Sequence, residues 1–148
     1  IGLYKFGLTT GDGGPCSEEL FNFANGMCLS PDGNFLYVVE SFHPCVSRLP
    51  INEDGTFGKK EIFTENIEIV PDGLAFDKEN NLFISCYEPS RIYIADPSGK
   101  TNLLIEDKHC TTMAHPTNIA ISDDGNTMYT ANLGRWHITE IDISSLYK

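Results

Sequence analysis

What most limits the fold of this chain is that it says nearly the same thing three times. Residues 23–41 read FANGMCLSPDGNFLYVVES, residues 70–88 read VPDGLAFDKENNLFISCYE, and residues 115–133 read HPTNIAISDDGNTMYTANL. Set in register, Asn25, Asp72 and Thr117 fall together, at separations of 47 and 45 residues. Gly26 matches Gly73, and Leu29, Phe76 and Ile121 share one apolar slot. Asp32-Gly33-Asn34 matches Asp124-Gly125-Asn126, and Tyr37, Phe83 and Tyr129 share a second apolar slot after a one-residue deletion in the middle copy.

Each copy has one internal grammar. A short apolar strand (27–30, 74–77, 119–122) runs into a turn rich in Asp, Gly and Asn, the chemistry of a tight hairpin. A second strand follows (35–39, 82–86, 128–131), then a third (46–51, 91–95, 137–143). In the first two copies a further polar turn leads to a fourth strand (60–64, 101–105). No stretch carries a sustained helical period, so the chain reads as all-β. Four antiparallel strands every ~46 residues is the spacing of a β-propeller blade, between the WD40 and kelch periods. The reading predicts one partial propeller domain over residues 1–148, with blade-like repeats at about 25–70, 71–115 and 116–148. Residues 1–24 then form the end of a preceding blade, with strands at 2–6 and near 18–23. The expected total of about thirteen strands falls short of a closed ring, which takes roughly 4–8 blades of four. Either the sequence is the C-terminal half of a longer chain, or a second copy completes the ring.

Composition narrows the function. The 148 residues are 41% hydrophobic and 21% charged, enough for a packed core. A net charge of −11 with ten scattered basic residues argues against nucleic acid. No apolar run approaches the ~20 residues of a membrane span. The five cysteines form no CxxC pair, which leaves zinc-ribbon and redox motifs unsupported and favours a reduced, cytoplasmic protein.

The changing letter carries the chemistry. Residues leading into the innermost strand of each blade face the central channel, and Asn25, Asp72 and Thr117 stand there. Oxygen-bearing side chains converging on one axis suit a hard cation. The bland alternative is that Asn-Gly and Asp-Gly are turn dipeptides, chosen because they tolerate positive φ. Neither dipeptide, however, sits at hairpin distance between two strands.

These residues resemble a family. The stretches FANGMCLSPDGNFLYVVES and VPDGLAFDKENNLFIS are similar to the paired motifs of the SMP-30/gluconolactonase/LRE-like, or regucalcin-like, family, and correspond to the second half of a member. The resemblance implies a six-bladed propeller with one divalent metal in its channel, calcium first, with zinc, magnesium and manganese as alternatives. It implies hydrolysis of sugar-type or other small lactones. Asn25 maps to a metal ligand, and Asp72 to a metal ligand that is also the general base. The family's Glu ligand and its Arg and Asn substrate contacts belong to the first half and have no counterpart here.

Other residues carry weaker signals. His115, leading into an inner strand, and Thr117 are candidate substrate contacts, Thr117 with a local capping bond as its plainer role. His43, His109 and His137 show no metal-binding spacing. Trp136 reads as a packing aromatic, and no serine sits in a nucleophile elbow. Glu40, Cys86 and Asn132 share a register position after the second strand, where a carboxylate can face solvent. The rival to a lactonase is a non-catalytic propeller that binds a metabolite, a metal or a protein partner.

Overall fold

The turns fix where the strands begin and end. In the first copy Asp32 accepts hydrogen bonds from the Ser30 hydroxyl (2.6 Å) and the Asn34 N–H (3.0 Å), while Gly33 takes φ 73°. The third copy repeats this with Ser122, Asp124 and Asn126, and Gly125 takes φ 72°. The middle copy has no glycine there. Asn80 takes the left-handed conformation (φ 63°), and Asp77 accepts from the N–H groups of Glu79 and Asn81. Asn is the side chain that tolerates this region best, so one turn geometry survives the deletion.

The computed structural model describes residues 2–147. Thirteen strands are assigned among them: β1 Gly2–Phe6, β2 Gly13–Leu20, β3 Ala24–Leu29, β4 Phe35–Glu40, β5 Cys45–Pro50, β6 Glu61–Thr64, β7 Pro71–Phe76, β8 Leu82–Cys86, β9 Arg91–Ala95, β10 Thr101–Glu106, β11 Pro116–Ile121, β12 Thr127–Asn132 and β13 Ile138–Asp142. A 3-10 turn, Ser144–Tyr147, follows. They form four antiparallel sheets, ordered β1-β2, β3-β4-β5-β6, β7-β8-β9-β10 and β11-β12-β13. Each sheet is a meander of successive strands. The first strand of each later sheet lies against the first strand of the next, β3 on β7 and β7 on β11. This is an arc of a β-propeller, and β3, β7 and β11 are its inner strands.

Apolar residues fill the spaces between blades. Tyr37, Val39 and Val46 of one sheet pack on Leu74, Leu82 and Ile84 of the next. Phe83, Ile92, Ile119 and Met128 fill the following gap. Phe21 and Leu3 pack with Leu36, Val38 and Leu49 at the other end. Strands β4 and β8 are middle strands with a neighbouring sheet on each face, so they read as unbroken apolar runs rather than alternating ones. The helical turn is tied back to the second blade, where the Tyr147 hydroxyl donates to Asp77 at 2.8 Å.

Two details depart from the sequence reading. The strand expected near 18–23 begins at Gly13, because Gly13, Gly14 and Pro15 pair with Phe6, Lys5 and Tyr4. A Gly-Gly-Pro run reads as loop, yet on an outermost strand it pairs through one edge. The inner strands also each start three residues early, at Ala24, Pro71 and Pro116, so Asn25, Asp72 and Thr117 lie within them rather than in the loops before.

Candidate metal and substrate site

Each inner strand is irregular at the same place. Pairing with the second strand shifts between Ala24 and Met27, between Pro71 and Leu74, and between Pro116 and Asn118. Such bulges re-aim side chains at strand ends. Two residues before Asn25, Asp72 and Thr117, a non-glycine residue holds positive φ: Phe23 (63°), Val70 (51°) and His115 (53°). Backbone strain of this kind costs roughly 1–3 kcal/mol per residue and persists only where the surroundings impose it. Here the residue after the second strand imposes it. The backbone N–H groups of Ser41, Tyr87 and Leu133 donate to the carbonyls of Phe23, Val70 and His115.

The glycines explain the spacing. A Cβ on Gly26 would lie 2.0 Å from the Asp72 carbonyl oxygen, and one on Gly73 would lie 2.6 Å from that of Thr117. Neither residue has positive φ, so the turn reading of Asn-Gly and Asp-Gly does not apply. These glycines let neighbouring inner strands touch backbone to backbone. The bulged Gly73 N–H is satisfied by Ser85 Oγ at 2.9 Å.

Close approach gathers the polar side chains. Asn25, Asp72, Thr117 and Asn118, with the two glycines, Met27 and Leu74, line one cavity of about 330 Å³. Burial raises the Asp72 carboxyl above its ordinary value, opposed by donation from the Asn25 amide. The Asn25 Nδ2 also donates to Ser41 Oγ (3.3 Å), and the Ser41 hydroxyl donates to the Pro71 carbonyl (2.7 Å). The Thr117 hydroxyl donates to the Ala131 carbonyl of the neighbouring strand β12 at 3.4 Å, a cross-strand bond rather than the local capping bond expected.

Chemically, the cavity offers hard oxygen donors: an amide carbonyl at Asn25, a carboxylate at Asp72 and a hydroxyl at Thr117. No cluster of three or more His, Cys, Asp or Glu side chains occurs among the described residues. This donor set fits a hard divalent cation and would supply part of its shell, since Ca²⁺ takes about 6–8 oxygens.

Other candidates fall elsewhere. His115 does not line the cavity. Its Nδ1 bonds the Tyr87 carbonyl (2.8 Å) and lies 3.2 Å from Glu88, and the ring packs against that of Tyr87 at a 32° tilt. His137 bonds the Thr112 carbonyl at 2.7 Å. Trp136, expected to pack, is fully exposed on the loop before β13. Glu40 does not face solvent: it is 4% exposed and accepts from Ser47 (2.5 Å), the Asn22 N–H (2.6 Å) and Lys60 (2.9 Å). Asn132, in register with it, accepts the Ala114 N–H at 3.0 Å, so both residues clamp the segment leading into an inner strand. Asn118 and Ser41 were missed by the sequence reading. Asn118 has no glycine or acid beside it to mark it. Ser41 could have been noticed as a small aliphatic hydroxyl where the other blades carry the bulky Tyr87 and Leu133.

All five cysteines are free, and no helix among the described residues is long and apolar enough to cross a membrane.

Comparison with known proteins agrees with this architecture. The profile of the SMP-30/Gluconolactonase/LRE-like region matches residues 3–131. A gluconolactonase of Zymomonas mobilis subsp. mobilis is 31% identical over 116 residues, covering 71% of this chain and 31% of that protein. Among solved structures, a gluconolactonase from Xanthomonas campestris superposes with a TM-score of 0.65 at 18% identity, over 77% of this chain and 36% of the other. Regucalcin of Agrobacterium tumefaciens, a calcium-binding protein, gives 0.65 at 20% identity over 86% and 43%. A chain of a nidogen/laminin complex gives 0.71 at 15% identity over 89% and 50%. These likenesses establish the propeller fold, and the chain spans half or less of each of these proteins. On the profile match, the chain belongs to the SMP-30/gluconolactonase/LRE-like family.

Proposed function

We propose that this chain carries part of the centre of a metal-dependent hydrolase of small lactones, gluconolactonase-like, with sugar-type lactones as the first substrates to try. The observation behind this reading is the meeting of Asn25 and Asp72 in one polar cavity on adjacent inner strands. Family membership and the relative named gluconolactonase support it. Calcium is the favoured ion, because the donors are oxygens and a structural neighbour is described as calcium-binding.

A divalent cation bound there would polarise the lactone carbonyl and make an attacking water more acidic. The chain's own residues have separable parts. Asn25 holds the ion through a neutral oxygen, so it adds no charge that would weaken the ion as an acid. Asp72 is ligand and base. It is the carboxylate that lines the cavity, which suits it to take the proton of the attacking water. The close-packed glycine backbones keep the two side chains on adjoining strands. The remaining ligands and the substrate contacts come from segments beyond this sequence, or from a second copy closing the ring.

The test is Asp72→Asn, assayed on gluconolactone and an aryl lactone. Loss of a general base costs about 10²–10⁴-fold in turnover. Assayed in the completed ring, turnover of Asp72→Asn at the wild-type level would refute the role of Asp72, and a wild type inactive on every lactone would favour a binding propeller.

A further inference from the structure

We infer that Ser41 is a positioning residue, an inter-blade latch that fixes which end of the Asn25 amide is left for a ligand. Ser41 is 2% exposed and sits just after β4. Its backbone makes the same bond as Tyr87 and Leu133 in the other blades, so the architecture at this position requires no hydroxyl. The hydroxyl nevertheless joins two blades. Its one hydrogen is given to the Pro71 carbonyl (2.7 Å), next to Asp72 on β7. Toward Asn25 on β3 it can therefore present only a lone pair, at 3.3 Å. An amide facing a lone pair must offer Nδ2. Asn25 Oδ1 is thereby left as the uncommitted donor atom, the one a hard cation or a polarised substrate hydrogen needs. Without the latch, only the Asp72 carboxylate, which also receives a hydrogen from this amide, is left to hold its orientation.

The latch rests on the geometry alone, whereas its effect on a cation rests on the lactonase reading, and the tests separate them. The first is the side-chain amide signal of Asn25 in ¹⁵N-edited NMR of metal-free protein. Ser41→Ala should shift this pair away from its wild-type position, while other Asn side chains stay put. The second is Mn²⁺ affinity by calorimetry across wild type, Ser41→Ala, Asn25→Ala and the double variant. Loss of an outer-shell partner costs about 10–100-fold in metal affinity. Ser41→Ala should show that loss in the wild-type background and none beyond Asn25→Ala in the double variant. If Ser41→Ala does not fold, Ser41→Cys keeps the volume with a weak thiol and carries the same expectations. An unmoved Asn25 signal overturns the latch, as does an equal loss of affinity with and without Asn25. If wild-type protein binds no Mn²⁺, the cation reading fails and the NMR result alone decides the latch.

Discussion

Replacing Gly26 by alanine tests why the inner strands carry glycine. The added methyl would sit 2.0 Å from the Asp72 carbonyl oxygen, 2.8 Å from Gly73 Cα and 3.0 Å from the Asp72 carbonyl carbon. All three neighbours are backbone atoms of the Asp72–Gly73 bulge, which is flanked by the Pro71–Cys86 and Leu74–Ile84 pairs and tied through the Gly73 N–H to Ser85 Oγ, so no side chain can swing aside. The oxygen is more than an ångström inside ordinary contact, and the blades must part to admit the methyl. Overpacking typically costs about 1–3 kcal/mol, and a rigid partner places this case at or above the upper end. For a chain this size about 3 kcal/mol lowers Tm by roughly 6–12 °C. Gly33→Ala is the matched control. It has φ 73° with nothing within 4 Å, so only the left-handed backbone penalty applies, about 1 kcal/mol and a few degrees. Scanning calorimetry with urea titration measures both. If Gly26→Ala is as stable as wild type, or costs less than Gly33→Ala, strand contact is not the reason for the glycine.

Other perturbations follow from single contacts. Phe83 is 0% exposed between the second and third blades, and Phe83→Ala should cost about 3–5 kcal/mol in urea denaturation. Burial pushes the Glu40 carboxyl up, but the Ser47 hydroxyl, the Asn22 N–H and Lys60 outweigh it and hold the group below its ordinary value of 4.5. A depressed carboxylate stabilises the fold fully above that ordinary value and loses the contribution as pH falls through the lower folded value. Glu40→Gln should thus cost about 2 kcal/mol at neutral pH, with the gap to wild type closing in strong acid. A gap that is independent of pH would show that the charge of Glu40 does not matter. Excess Mn²⁺ should raise the Tm of wild-type protein and not that of Asp72→Asn, as binding to the native state alone requires.

Much was legible in the sequence because repetition averages out local ambiguity. The Asp-Gly-Asn turns, the apolar runs of β4 and β8 and the ~46-residue spacing independently indicated strands and blades. They also marked Asn25 and Asp72, since corresponding positions in successive blades face one axis. The deletion in the middle copy did not obscure the pattern, because Asn80 supplies the same left-handed turn.

Tertiary structure decided the rest, wherever the partner lies in another blade. Gly26 and Gly73 look like turn glycines until the neighbouring strand is seen pressing on them. Glu40 looks like a surface acid until Lys60 and the Asn22 N–H close over it. Ser41 has no motif, because its meaning lies in two bonds, one to Asn25 and one to residue 71 on the next blade. Local sequence encodes turns and periodicity, which depend on neighbours along the chain. Contacts between blades depend on distances across a cavity, and those exist only once the sheets have stacked.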